Sequence, residues 1–163
     1  MFFWRNRLGI MTEVGVTMSR PGAYDEVFRR SVIALADDEP IDNQVAHPKA
    51  PLLRYAERVG KELLLFGNTV QFQIVTGDTL SVRSVGADTF SEFEFAGDTR
   101  PVALGTVSYF GQSSGTRMRI RELSIEAMQQ GIDAPDVTAH CPDYVEGPLA
   151  HLSASNTLGM LVA

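Results

Sequence analysis

Alternating apolar and polar side chains between Thr69 and Phe110 constrain this chain more than any other feature. The apolar residues at every second position of its first half are Val70, Phe72, Ile74, Leu80 and Val82. Successive side chains of a strand point to opposite faces, so this pattern describes a sheet with one buried and one wet face. Gly77-Asp78 and Gly97-Asp98 tolerate tight-turn dihedrals. We therefore predict an antiparallel meander of about four strands.

Segments on both sides of the meander show helical periodicity instead. Over residues 23–36, apolar side chains recur every three or four positions behind Pro21, and acidic residues stand where the first turn would be. Residues 51–60 repeat this pattern over a shorter distance, and residues 124–130 have the pattern of a third, short helix. The sequence thus predicts two to three helices.

The remaining segments predict further strands. Residues 8–18 alternate, which indicates a strand, and the alternative for residues 1–17 is an N-terminal arm. Residues 61–66 contain a continuous apolar run that fits either a continued helix or a strand buried on both faces. Residues 111–116 are small and polar, which predicts a loop, and the alternation over residues 117–121 predicts a strand after it.

These elements together predict an α+β fold. Its mostly antiparallel sheet would have about five or six strands, with two to three helices packed on one face. The length of 163 residues suits one domain that includes all of residues 1–163. Residues 149–163 are almost free of charge, so we expect this segment in the core or in an interface.

Charge and cysteine content narrow the function classes. The formal net charge is −6, from 20 acidic and 14 basic residues, which opposes nonspecific binding to nucleic acid. Cys141 is the single cysteine, so no intramolecular disulfide forms, and this favours a reducing, cytoplasmic location. No apolar run reaches the roughly 18 residues that a membrane span requires.

Cys141 is also the first candidate for chemistry, since His140 precedes it and His151 follows. A nucleophilic cysteine needs a base within hydrogen-bond reach. Adjacent residues of an extended chain point apart, so His151 or His47 would be the better base for Cys141. A lone cysteine among prolines is more often a small apolar filler. The spacing matches no closed zinc motif, so we predict no metal site, no cofactor and no catalytic residue, with Cys141, His140 and His151 as the fallback candidates.

A polar stripe offers a second candidate. Its residues are Arg117, Arg119 and Arg121, preceded in the chain by Ser113 and Ser114. Guanidinium groups, hydroxyls and loop amides donate hydrogen bonds to oxyanions, so the stripe could bind an anion or an acidic partner. The alternative, which we favour, is pairing with Glu92 and Glu94 on a neighbouring strand.

The sequence therefore favours a non-catalytic protein-interaction or assembly subunit that uses its sheet and its apolar termini. The expected interface residues are Phe2, Phe3, Trp4, Leu158, Met160 and Leu161. The partner would be a second copy of the chain or another protein. The alternative is a small enzyme or ligand-binding domain, with a pocket between sheet and helices near His140, Cys141 and His151.

Overall fold

In a computed structural model, the chain is described over residues 1–31, 33–126, 134–143 and 145–163. These residues form thirteen strands and no helix. The strands are, in chain order, β1 (Phe2–Trp4), β2 (Arg7–Met11), β3 (Gly15–Met18), β4 (Ile41–Gln44), β5 (Leu53–Val59), β6 (Glu62–Gly67), β7 (Gln71–Val75), β8 (Gly86–Ser91), β9 (Val102–Leu104), β10 (Val107–Ser114), β11 (Arg117–Ser124), β12 (Ser153–Ser155) and β13 (Met160–Val162).

The strands form four antiparallel sheets in which chain neighbours are also sheet neighbours. The first sheet contains β1 to β4 and the second contains β5 to β8, each in sequential order. The third sheet has the order β11-β10-β9, and β12 pairs with β13 as a separate hairpin. Local pairing of this kind is what short connections between consecutive strands favour. No helix that could cross a membrane occurs in the part of the chain that is described.

The predicted α+β class is wrong, because the described residues are almost entirely strands and connections. Residues 23–31 and 33–36, where a helix is predicted, belong instead to an irregular connection between β3 and β4. A short helix in water depends on packing its apolar face against another element. Here Phe28 is 85% exposed and Tyr24 is 43% exposed, so these two residues of the predicted apolar stripe have no core to pack into.

Of the other two predicted helices, one is a strand, and most of the other lies outside the described residues. Residues 51–60 contain β5, whose pairing with β6 continues to the Val59–Glu62 pair beside Gly60 (φ +60°). Pairing with β6, which is apolar from Leu63 to Phe66, thus overrides the helical spacing. In the third predicted helix, Ser124 ends β11, and residues 127–130 lie outside the described residues.

Several predicted strands need new boundaries. Residues 8–18 form two strands rather than one, because Thr12 N donates to Gly15 O (2.9 Å) and turns the chain between β2 and β3. The loop predicted at residues 111–116 is mostly β10, which stays in register with β11 up to Ser114. Gly115 (φ +67°) then supplies the left-handed backbone of a tight turn.

The meander predicted between Thr69 and Phe110 contains four strands, as expected, but they do not form one sheet. β7 and β8 complete the second sheet, whereas β9 and β10 belong to the third. The long connection between β8 and β9 carries Phe95, which is buried in the core between these two sheets. The meander therefore joins two sheets.

Strand β6 lies at the centre of the packing, because its two faces line two different cores. Leu63 and Leu65 share one apolar cluster with residues of the first sheet, which are Trp4, Val16, Met18 and Ile41. Leu64 and Phe66 belong to a second cluster with Phe110 and Leu123 of the third sheet. The apolar run in residues 61–66 was predicted to be either a continued helix or a strand buried on both faces. The structure confirms the strand. A smaller third cluster holds Met118, Ile120, Leu149 and Leu152.

Replacement of Leu64 by alanine tests this packing. Leu64 is fully buried, so Leu64→Ala should lower the free energy of unfolding by about 2–5 kcal/mol through lost contacts and a cavity. Leu158→Ala is the matched control, since Leu158 is 71% exposed and its loss should change stability by less than about 0.5 kcal/mol. Urea unfolding measures both. Equal effects of the two substitutions would contradict the placement of β6.

Candidate functional site

The long connection between β3 and β4, residues 19–40, is held at its base by one buried cation. Arg7 is 1% exposed and donates from Nη1 to Ser19 O and Glu39 O, each at 2.8 Å. Its Nη2 donates to Asp37 O at 3.2 Å and to Leu80 O at 3.3 Å. A buried charge needs such partners to replace water. Both ends of this connection, which we name the β3–β4 loop, are thereby fixed to β2.

Further charges brace the same loop. Burial lowers the pKa of Arg7, and the nearby positive charge of Arg20 lowers it further. Arg20 itself pairs with Asp38 and, at 3.1 Å, with Glu26. Hydrogen bonds from Arg30 and then Arg20 hold the pKa of Glu26 below its usual value. The base of the loop is therefore a connected polar network.

The tip of the β3–β4 loop, in contrast, presents apolar side chains to solvent. Apart from Met1, Phe28 and Ile33 are the most exposed large apolar residues among those that the structure describes. Phe3 lies against Tyr24, with ring centroids 5.3 Å apart in an edge-to-face arrangement. Large apolar side chains held outward on a braced loop are typical of a protein contact site. The sequence pattern assigned Phe28 to the inner face of a helix, and so did not identify it.

The predicted N-terminal interface residues separate into different environments. Trp4 lies in the first core, where it is 3% exposed and its Nε1 donates to Lys61 O at 3.2 Å. Phe2 is half-buried against the same core, whereas Phe3 is 64% exposed. Of the three aromatic residues, Phe3 is thus the one that offers a largely free surface.

The C-terminal hairpin of β12 and β13 is apolar on both faces. Leu161 points inward and packs against the third apolar cluster. Met160 and Val162 point outward and, like Leu158, are more than half exposed. The outer face forms a shallow groove that Ser153 and Ser155 complete. An apolar outer face of this kind fits an interface.

The predicted arginine stripe exists on β11, but its partners differ from those expected. Arg117 pairs with Asp143, and Arg119 Nε lies 3.7 Å from Asp136. Arg121 donates to Gln112 and to Ala134 O, and its guanidinium lies 4.7 Å from the Phe93 ring centroid. The segment that follows β11 thus supplies carboxylates to two of the three arginines, and the role of the stripe as an anion site stays a prediction.

Glu92 was expected to pair with this stripe and instead pairs elsewhere. It bonds to Lys49, and its Oε1 lies 3.5 Å from His47 Nε2. The hydrogen bond and charge of Lys49, with a smaller contribution from His47, lower the pKa of Glu92. Pairing of the stripe with Glu92 is therefore wrong. No ion pair of Glu94 is found among the described residues.

Residues 134–143 and 145–147 cover the free edge of β11. Glu122 N donates to Pro135 O (3.0 Å), Val137 N donates to Ile120 O (2.9 Å) and Met118 N donates to Val145 O (3.3 Å). A sheet edge with unpaired amides invites pairing with other chains, and natural proteins often cover it. Contacts with partners are therefore expected at side-chain surfaces rather than at this edge.

The residues that the sequence suggested for chemistry are exposed and dispersed. Cys141, His140 and His151 all lie at the surface. Within the described residues, the Cys141 thiol has no hydrogen-bonded base, and no three metal-ligating side chains come together. His151 Nδ1 lies 3.5 Å from Ser153 Oγ, a neighbour in the chain. The structure does not bring these residues into one site.

Glu57 is an ionisable group whose surroundings disfavour its charge. Burial raises the pKa of this carboxyl, and the charge and hydrogen bond of Arg100 oppose that shift only in part. Arg100 Nη2 lies 3.1 Å from Glu57 Oε2. The pair lies where β5 approaches the connection before β9, beside a small pocket that Arg54 and Phe2 also line.

Comparison with known proteins identifies the family to which this chain belongs. The family model for the bacteriophage nozzle protein matches residues 1–163, so the chain belongs to that family. It is also 30% identical over 159 residues to the tail tubular protein gp12 of Escherichia phage T7. That alignment covers 96% of this chain and 20% of the relative, so the chain spans one fifth of the relative's length. The sequence predicted a structural assembly subunit, and membership of this family confirms that general role.

The buried cation allows a first test of the site. Arg7→Met should lower the free energy of unfolding by roughly 2–4 kcal/mol, because four backbone carbonyls lose their donor inside the protein. Arg83→Met is the matched control, because Arg83 is exposed and donates to Leu35 O alone. Chemical denaturation measures both variants. A stable Arg7→Met protein would contradict the role of Arg7 in fixing the loop.

A second test uses pH. A carboxyl with a raised folded-state pKa contributes stability that is present at low pH and lost as pH rises through that pKa. Glu57→Gln cannot ionise, so its melting temperature relative to the wild type should increase as pH rises from about 4 to about 7. Glu94→Gln, at an exposed position, serves as the control. A pH-independent difference between Glu57→Gln and the wild type would contradict the burial penalty.

Proposed function

We propose that this chain is a structural segment of a phage tail nozzle subunit, and that it joins neighbouring copies through exposed apolar surfaces. The observation that carries the proposal is the set of outward apolar side chains on braced elements: Phe3, Phe28, Ile33, Leu158, Met160 and Val162. Membership of the nozzle family and similarity to a tail tubular protein support it.

The physical argument concerns the cost of leaving such side chains in water. Burying a large apolar side chain stabilises an association by about 1.5–3 kcal/mol, so exposed ones favour contact. The two-core sheet stack provides a rigid base for these side chains, because β6 joins both cores. A rigid base lowers the entropy lost when subunits associate. The arrangement thus suits a repeating structural part.

The proposed partner is another copy of the chain, with other tail proteins as further neighbours. Assembly would take place in the cytoplasm of the infected host cell, which is the location that the single cysteine favours. The alternative of an enzyme with a pocket near His140, Cys141 and His151 receives no support from the family or from the relative's name.

The oligomeric state of the purified chain tests this function. Light scattering coupled to size-exclusion chromatography should show species larger than a monomer at micromolar concentration, in amounts that rise with concentration. Leu158→Ser combined with Met160→Ser should reduce that fraction, because both side chains are exposed and apolar. A monodisperse monomer throughout the concentration range would contradict self-assembly.

A further inference from the structure

We propose that the tip of the β3–β4 loop of one copy inserts Phe28 into a pocket on the third sheet of the next copy. This inference rests on the proposed function and names the two surfaces of the contact. The loop tip carries Phe28, which is 85% exposed, and next to it the exposed Arg29. Arg7 and Arg20 brace the base of the loop, which limits how far the tip can move relative to the first sheet.

The receiving pocket lies at the end of the β10–β11 hairpin. Its floor contains Met118 and Leu149, each 6% exposed, and Ala96 and Pro148 line it as well. Thr99 Oγ1 donates to Leu149 O and closes one side. The pocket volume is about 290 Å³. An enclosed apolar cavity of about 150 Å³ holds benzene, so this more open pocket has room for a phenyl ring.

Charge complementarity selects the orientation of this contact. Asp98 lines the pocket, is exposed, and has no ion-pair partner among the described residues. Arg29 likewise has no carboxylate partner in the described part of the chain, whereas Arg20 and Arg30 are both paired. Insertion of Phe28 would bring the Arg29 guanidinium to the rim where Asp98 lies. Complementary charges at a rim favour correct docking and fast association.

The positions of the two surfaces make the contact a repeating one. The β3–β4 loop belongs to the first sheet and the pocket belongs to the third, with the second sheet packed between them through the two faces of β6. Loop and pocket are different surfaces of the same chain, so the contact is head-to-tail. Such contacts propagate from copy to copy and close into rings or extend as filaments.

The contact area also favours a second copy as the occupant. Phe28 and Ile33 together offer roughly 300 Å² of side-chain surface, well below the roughly 800 Å² per partner of a stable pair. A single contact would therefore be weak. In a closed ring each copy makes it twice, once with its loop and once with its pocket, so the loss of one copy breaks two contacts at once.

Sedimentation equilibrium on the whole chain measures self-association. The proposal is tested by removing the Phe28 ring and by exchanging the charges of Arg29 and Asp98. Phe28→Ala should weaken self-association by roughly 30-fold, the loss typical of a central interface residue. Arg29→Asp and Asp98→Arg should each weaken it by about tenfold or more, because each places like charges together. The double variant with both reversals should recover to within about threefold of the wild type, since every contact again pairs opposite charges.

Matched controls are Arg54→Asp and Asp88→Arg, which reverse exposed charges that have no ion-pair partner among the described residues. Both should associate like the wild type, and thermal melting should show that all variants are folded. If the wild type associates but Phe28→Ala is unaffected, or if the double variant fails to recover, this contact is overturned and the proposed function stands. A wild-type chain that stays monomeric overturns the proposed function itself.

Discussion

The burial of both faces of β6 is the constraint on which the rest of this structure depends. Leu63 and Leu65 face one core while Leu64 and Phe66 face the other, so this strand contributes fully buried side chains to both cores. A strand buried on both faces needs a sheet on each side, and the first and third sheets meet that need. The surfaces proposed for assembly lie on these outer sheets, and their relative placement depends on β6.

Arg7 supplies the second constraint, because it turns a long connection into a fixed one. Connections as long as residues 19–40 are uncommon in compact domains unless they carry a function. Four carbonyls from separate parts of the chain converge on one buried guanidinium and hold both ends of the loop near β2. Polar contacts thus organise the base, which leaves the apolar side chains of the tip free to contact another protein.

The strands of the meander and the inward positions Met118 and Ile120 could be predicted from the sequence, because the two-residue period reports one-sided burial. The helix over residues 23–36 could not be excluded in this way, since its period is helical and its failure depends on the missing packing surface around Phe28. The partners of Arg117 and Arg119 could not be predicted either. Asp143 and Asp136 lie in the segment after β11, and only the folded chain brings them next to these arginines. Exposed Phe28 carried no signal of its own. The assembly surfaces therefore became visible only with the three-dimensional arrangement.

Native-state hydrogen exchange tests the central role of β6 most directly. Core amides exchange only through global opening, whereas peripheral ones exchange through local opening. If both cores depend on β6, the amides of Leu64 and Leu65 should be among the slowest to exchange, with a free energy equal to that of global unfolding. Faster exchange of β6 than of the first or third sheet would show that an outer sheet is stable without it, and would contradict this architecture.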